Sequence, residues 1–307
     1  MKKILSIALC VLMLFACLNV SAQNISVELD ANNLEFDTPP VNIDGRVLVP
    51  VRAILEAMGA TVLWNGEART VTSKLNDTTV VMTIDSCEMK INGEKKTIDV
   101  PAKIIDDRTF VPARAITEAF GANVLWDAHN DTVKIFTKDF VLRTKGMKTH
   151  KSSKSLSKEN SITSDFSISY FDEMDVRIDA NDGTDFEIVS TSDEHSAILS
   201  VRADVYTGPE HPMTASYAQE VANGMVTAIS GTLISTEISH IGEEEFIKIC
   251  YTLPSYSQTI ADDTSDVLVY MGIESGVVYT MTYTNYGAVP KNISADMNYI
   301  MDTLIIH

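Results

Sequence analysis

PPVNIDGRVLVPVRAILEAMGATVLW, Pro39 to Trp64, is written a second time as VPAKIIDDRTFVPARAITEAFGANVLW, Val100 to Trp126. Pro39 falls on Pro101, Arg46 on Arg108, Val49-Pro50 on Val111-Pro112, Arg52 on Arg114, Glu56 on Glu118, Gly59 on Gly121 and Trp64 on Trp126. The offset is 62 residues throughout, with no gap. A fixed period with this much identity marks a duplicated supersecondary unit. Ile43-Asp44-Gly45-Arg46 predicts a tight turn, its place taken by Asp106-Asp107 in the second copy. Val47-Leu48-Val49 reads as extended, because the residue before a proline is pushed out of helical geometry. Pro50 and Pro112 then sit where a helix tolerates proline, in its first turn. Short helices are expected at Val51–Met58 and Ala113–Phe120, stopped by Gly59 and Gly121 as left-handed caps. Val62-Leu63-Trp64, Val124-Leu125-Trp126, Thr70-Val71-Thr72 and Thr132-Val133-Lys134-Ile135 read as strands. A helix of about nine residues is marginal alone, so each must be held by the strands around it.

Working outward, Asn92-Gly93 between two short extended runs is a hairpin signal with positive φ at both turn residues. From 139 to 164 lysines at 145, 148, 151, 154 and 158 alternate with serines, and apolar periodicity vanishes. That stretch predicts a flexible Lys/Ser-rich linker; the alternative is a basic patch docking on an acidic surface, which the chain itself could supply. Residues 165–307 read as a second domain. Phe166-Ser167-Ile168-Ser169-Tyr170 and Ala197–Val201 are strands, and Tyr217, Val221, Met225 and Ile229 recur at helical spacing. Strands follow around Ser235–His240, Phe246–Leu253, Val267–Ile273 and Val277–Thr284, then a helix at Ser294–Met301 and a last strand at Leu304–Ile306. The expected class is α+β: a duplicated β-rich repeat, about 39–73 and 101–137, with one short helix per copy, followed by an α/β sandwich with a mostly antiparallel sheet.

These residues resemble a known family. Gly45-Arg46, Leu48-Val49-Pro50-Val51-Arg52, Glu56, Gly59-Ala60, Val62 and Trp64, with their second copy, are similar over residues 26–138 to the copper amine oxidase N-terminal domain, a non-catalytic, stalk-like module of secreted bacterial proteins. Asp107 departs from the usual turn glycine. The element order of residues 165–307, with its Phe-x-Ile-x-Tyr strand and the helix carrying Tyr217, resembles the PsbP-like α/β sandwich of exported bacterial proteins. The first resemblance implies a binding or spacer role and no catalysis.

Composition narrows the class further. Lys2 and Lys3, the apolar run Ile4–Leu18 and Val20-Ser21-Ala22 predict a cleaved secretory signal over 1–22, too short for a membrane span. Leu14-Phe15-Ala16-Cys17 offers a competing lipoprotein site at Cys17. The mature domain would begin at 23 and run to 138. The formal charge of −18 becomes −20 once the two lysines are removed, which disfavours nucleic acid and anionic lipid. No later segment is long and apolar enough to span a membrane. Cys87 and Cys250 remain, read as two isolated, mostly buried thiols rather than a disulfide framework.

Candidate chemistry is sparse. His129, His150, His195, His211, His240 and His307 form no His-x-His, and Asn285-Tyr286-Gly287 lacks the acidic residue of a quinone-forming motif. No copper site and no other cofactor is expected. No Gly-x-Ser-x-Gly, phosphate loop or His-Glu-x-x-His is present. Asp172-Glu173, Asp175, Asp179 and Asp182 read as a solvated turn, without calcium-loop spacing. The singular feature is electrostatic. Arg52 opens its helix and Glu56 closes it, against the dipole and in the poorer i, i+4 order; Arg114 and Glu118 repeat this. Either each arginine reaches out of its helix to neighbouring carbonyls or a carboxylate, or it addresses a ligand. Trp64 and Trp126 either pack in the repeat core or stack on sugar. The expectation is a secreted, non-enzymatic binding or spacer protein of the cell envelope, its partner a cell-wall polymer or another envelope protein. The rivals are a hydrolase with its site in the C-terminal domain and a lipid-anchored envelope protein.

Overall fold

The computed structural model of the chain describes residues 25–157, 162–178, 184–191, 195–209, 211–254, 265–287 and 291–307. The expected secretory signal, Cys17 and the turn expected at Asp182-Gly183 lie outside them.

The described residues open with β1 (Ser26–Leu29) and β2 (Asn32–Asn33). The first copy of the repeated sequence follows as β3 (Val41–Ile43), β4 (Arg46–Pro50), α1 (Val51–Ala57), β5 (Thr61–Asn65) and β6 (Thr70–Leu75). A hairpin extension supplies β7 (Thr78–Thr83), β8 (Glu88–Ile91) and β9 (Glu94–Thr97). The second copy is β10 (Lys103–Ile105), β11 (Arg108–Pro112), α2 (Ala113–Glu118), β12 (Asn123–Asp127) and β13 (Thr132–Phe136). The turns obey the local chemistry. Asp44 and Gly45 take φ of 51° and 73°, and Asp106 and Asp107 take 47° and 58°, both left-handed as a two-residue hairpin turn requires. Aspartate tolerates that region through its short polar side chain, which is how Asp107 substitutes for glycine. Gly59 and Gly121, at φ 82° and 85°, end the two helices.

Three sheets build this half. One runs β5-β6-β7-β8-β9, a second β12-β13-β1-β2, and a central one β10-β11-β4-β3. In the central sheet β4 and β11 are antiparallel, with Val49 opposite Val111, Leu48 opposite Pro112 and Pro50 opposite Phe110. Each copy's sheet is completed differently: β6 pairs with the following β7, whereas β13 pairs in parallel with β1 from before the first copy. Val51, Ile54 and Leu55 of α1 and Ala113 and Ile116 of α2 turn inward onto a shared core with Val49, Val71, Met82, Met89, Val111, Val133 and Ile135.

Residues 139–157 are not a linker. They form most of α3 (Lys138–Thr144), capped by the Thr137 hydroxyl, and all of β14 (Lys148–Ser157), which pairs antiparallel with β15 (Ile162–Tyr170) from Lys148↔Tyr170 onward. Two of its lysines dock on the chain's own carboxylates: Lys148 pairs with Asp172, and Lys154 Nζ lies 2.8 Å from Asp185 Oδ1. The missing apolar period reflects an exposed strand at the edge of its sheet. Lysine there costs little and discourages further pairing.

The remaining strands are β16 (Asp175–Ile178), β17 (Phe186–Thr191), β18 (His195–Val205), β19 (Thr232–Ile241), β20 (Glu244–Leu253), β21 (Ser265–Glu274), β22 (Val277–Gly287) and β23 (Ile305–Ile306), with helices α4 (Ala215–Ala228) and α5 (Lys291–Met301). A seven-stranded sheet runs β16-β17-β18-β22-β21-β20-β19, and each neighbouring pair in it is antiparallel. Ala218, Ala222 and Val226 of α4 cover one face, over Ile247, Ile249 and Val269. The other face, with Phe186, Leu199, Val201 and Met281, is covered by α5 and by the three-stranded sheet β14-β15-β23 through Phe166, Ile168, Met297 and Ile300. The whole is α+β, with mostly antiparallel sheets.

The two halves are locked together. Asn130 donates to the His240 carbonyl at 3.1 Å and accepts from the His240 backbone N–H and the Ser239 hydroxyl, each at 3.1 Å. Lys134 Nζ lies 2.6 Å from Asp302 Oδ2, and Asn298 Nδ2 donates to the Ala31 carbonyl at 3.1 Å.

Candidate functional site

The pairing of β4 with β11 carries each hairpin turn across to the other copy. Arg46 at the first turn donates to Asp99 from Nε at 3.0 Å and Nη2 at 2.6 Å. Arg108 at the second turn donates to Asp37 from Nε at 3.0 Å and Nη2 at 2.7 Å. Asp99 stands 62 residues after Asp37, so the two bonds are the same bond made reciprocally. The Arg108 hydrogen bonds hold the Asp37 carboxyl below its usual range and raise Arg108 in turn.

Beside each bridge lies a groove. In the first, of about 810 Å³, Trp64, Val62 and Val71 lie alongside Pro50 and Arg52 at the start of α1, and the other copy supplies Asp107 and Arg108. In the second, of about 260 Å³, Trp126, Val124 and Val133 lie alongside Pro112 and Arg114, and the other copy supplies Gly45 and Arg46. Pairing of Trp64 with Val71 and of Trp126 with Val133 across each strand pair sets both indoles beside a valine. The tryptophans are not core residues: Trp64 is 43% exposed and Trp126 41%. Each sits on an edge strand, β5 or β12, of its sheet.

The helix arginines do not reach out of their helices. Both are exposed, and each meets its own i+4 glutamate, Arg52 with Glu56 at 3.7 Å and Arg114 with Glu118 at 3.8 Å. Because Val51, Ile54 and Leu55 claim the packed face, positions 52 and 56 share the outward one. These arginines therefore border the grooves rather than brace the core. That an indole and two arginines from different copies converge was not readable from either copy alone. The only signal in the sequence was that Asp37 and Asp99 keep the same offset as their arginine partners.

Elsewhere, Ser167 Oγ lies 2.9 Å from His307 Nε2, a serine–imidazole hydrogen bond. Ser167 is only 5% exposed, on β15 where it pairs with Ile305 of β23, and its partner His307 is exposed. Cys87 is exposed and Cys250 partly so, and both are free; the expectation of burial fails for Cys87, which lies in the turn before β8. His129 stacks on His240 with centroids 4.5 Å apart, each 3.7 Å from a glutamate, Glu243 and Glu245. Among the described residues no three His, Cys, Asp or Glu side chains come together as metal ligands, and the donor set does not fit a copper centre. No helix among the described residues is long and apolar enough to cross a membrane.

No curated protein matches the chain. Among solved structures, the solution structure of cyanobacterial PsbP (CyanoP) from Synechocystis sp. PCC 6803 is similar at 10% identity, with a TM-score of 0.37, over 53% of this chain and 93% of that one. Residues 28–135, which hold both copies, both reciprocal bridges and both grooves, match the family described as the copper amine oxidase N-terminal domain.

Proposed function

We propose that this chain is a non-catalytic binding protein of the bacterial cell envelope, in which the repeated unit holds a polymer of the wall and the C-terminal sandwich fixes that unit in place. The observation that carries this reading is the pair of grooves, each lined by a half-exposed tryptophan and two arginines. An exposed indole in a groove offers a flat apolar face, and guanidinium groups at its rim offer directed donors, which is how sites for small and polymeric ligands combine affinity with orientation. The match to a non-catalytic module favours binding over hydrolysis. Export is supported by the basic start, apolar run and small-residue cleavage site of residues 1–22.

Two measurements test the proposal. Purified protein should sediment with isolated cell walls, and a Trp64→Ala/Trp126→Ala variant that melts like the parent should stay in the supernatant. Equal sedimentation of the two would overturn the reading. Mass spectrometry of protein from the producing cell should find a chain beginning at Gln23; a diacylated Cys17 would replace free export with lipid anchoring.

A further inference from the structure

We infer that the two grooves are equivalent sites for one ligand class, a neutral linear glycan, so that a single repeated unit grips two stretches of it at once. This rests on the reading of the repeated unit as the binding module.

The equivalence follows from register. In the β4–β11 ladder Val49 faces Val111, its own counterpart, while Leu48 faces Pro112 and Pro50 faces Phe110. Adding 62 to one partner and subtracting it from the other returns the same pairs. Such self-complementary pairing is the mark of a two-fold relation, the rule that governs isologous dimers, here inside one chain. The exchanged bridges obey it to the atom, Nε and Nη2 of each arginine on Oδ2 of the other copy's aspartate. Whatever one groove binds through its shared residues, the other must offer as well: Trp64 with Trp126, Arg52 with Arg114, Pro50 with Pro112, and Arg108 with Arg46 from the opposite copy.

The ligand class follows from what the grooves do not share. The first is also lined by Glu35, Asp37, Glu56 and Asp107; the second has no acidic residue in its lining. A polyanion is repelled at the first and a polycation at the second. A ligand that fits both must draw its affinity from the common parts, an indole face with proline and valine beside it and two guanidinium groups. A pyranose ring meets that description: its C–H face covers the indole, and its hydroxyl oxygens accept from arginine. A linear chain suits grooves that are open at the surface.

Isothermal titration of the full chain with two neutral probes, β-1,4-linked tetramers of N-acetylglucosamine and of glucose, tests the inference. At least one probe should bind with two molecules per chain. Trp64→Ala and Trp126→Ala should each reduce this to one, weakening the altered site by more than about tenfold, and the double variant should bind none. Both indoles are partly exposed, so thermal melts should stay near the parent's. One molecule per chain, abolished by a single tryptophan change, would sink the two-site inference while leaving wall binding intact. Failure of both tetramers with wall sedimentation retained would overturn the glycan class. Displacement of the protein from walls by a proline-rich peptide, and not by sugar, would overturn it too. Loss of sedimentation altogether would remove the underlying proposal.

Discussion

Arg143, in the last turn of α3, offers the sharpest test of how the stretch that resembled a linker is held. Its guanidinium meets Asp296 of α5 as a fork, Nη1 to Oδ1 at 3.0 Å and Nη2 to Oδ2 at 2.6 Å, and its Cζ lies 4.7 Å from the centre of the Phe171 ring. The partners differ in exposure: the Asp296 side chain is 7% exposed, Arg143 41%. Arg143→Ala would strand a nearly buried carboxylate. Removing one partner of a fully buried pair costs roughly 3–5 kcal/mol; solvent screening of the half-exposed arginine discounts this to about 2–3 kcal/mol. That corresponds to a melting point lower by about 5–10 °C for a chain of this size. Asp296→Ala should cost less, about 1 kcal/mol, because Arg143 can turn to Glu173, already 3.5 Å away. The sign with pH is fixed. Burial pushes the Asp296 carboxyl above its usual range, and the bonds from Arg143 pull it back. Without them the folded pKa rises further. An acid with a raised folded pKa is better tolerated at low pH, and stability is lost as pH climbs through that value. The Arg143→Ala deficit, measured by urea denaturation against the parent, should therefore shrink from pH 7 to pH 5. A deficit that is independent of pH, or an Asp296→Ala variant that is the weaker of the two, would refute the reasoning.

Three further outcomes are expected. Burial pushes the Tyr270 hydroxyl up to about 12; at Lys134 burial works downward, but Asp302, bonded at 2.6 Å, overrides it and holds the ammonium above the ordinary lysine range. Raised values mean stability present below pH 10 and lost as pH rises through the folded values, so denaturation midpoints should fall between pH 10 and 12, and Tyr270→Phe should flatten part of that fall; a phenolate at position 270 titrating near pH 10 by absorbance would contradict this. Thr137→Ala removes both the α3 cap and the 2.7 Å hydroxyl bond to Asp30, and should cost about 1 kcal/mol in a thermal melt, with Thr137→Ser recovering most of it. A maleimide in excess should label Cys87 rapidly and Cys250 slowly, because only the first is exposed; labelling in the reverse order, followed by mass spectrometry, would show that the β20 strand opens readily.

What could be read from the residues was local. Prolines at 50 and 112 and glycines at 59 and 121 bracket helices observed at Val51–Ala57 and Ala113–Glu118, because those residues act through their own backbone angles. Alternating strands and the Tyr217 helix were legible for the same reason. What escaped depends on partners distant in sequence. Lys148–Ser157 carries no apolar period, because a half-exposed edge strand need not bury one face, and its carboxylate partners Asp172 and Asp185 lie in other elements. The outward set of Arg52 and Arg114 also depends on packing: nothing in the local sequence says which face of a seven-residue helix the strands will claim. The grooves are assembled from both copies at once, and a repeat read singly shows only a tryptophan and an arginine.

The parallel pairing of β1 with β13 has a consequence for how the chain acquires its shape. Ser26–Leu29 pairs at once with the two-residue β2, but finds its long partner strand only at Thr132–Ile135, and the Asp30 carboxylate meets Thr137. As the chain emerges from a ribosome or a translocation pore, the first copy can close its sheet at once with β7, β8 and β9, all of which follow within a few residues. The second copy, although related in sequence, must wait for a strand that left the pore more than a hundred residues earlier, and long loop closure is slow. Sequence duplication here does not produce kinetic duplication: one sheet of the first copy can be in place when the second arrives, while β1, held until then only by β2, waits for β13 to extend its sheet.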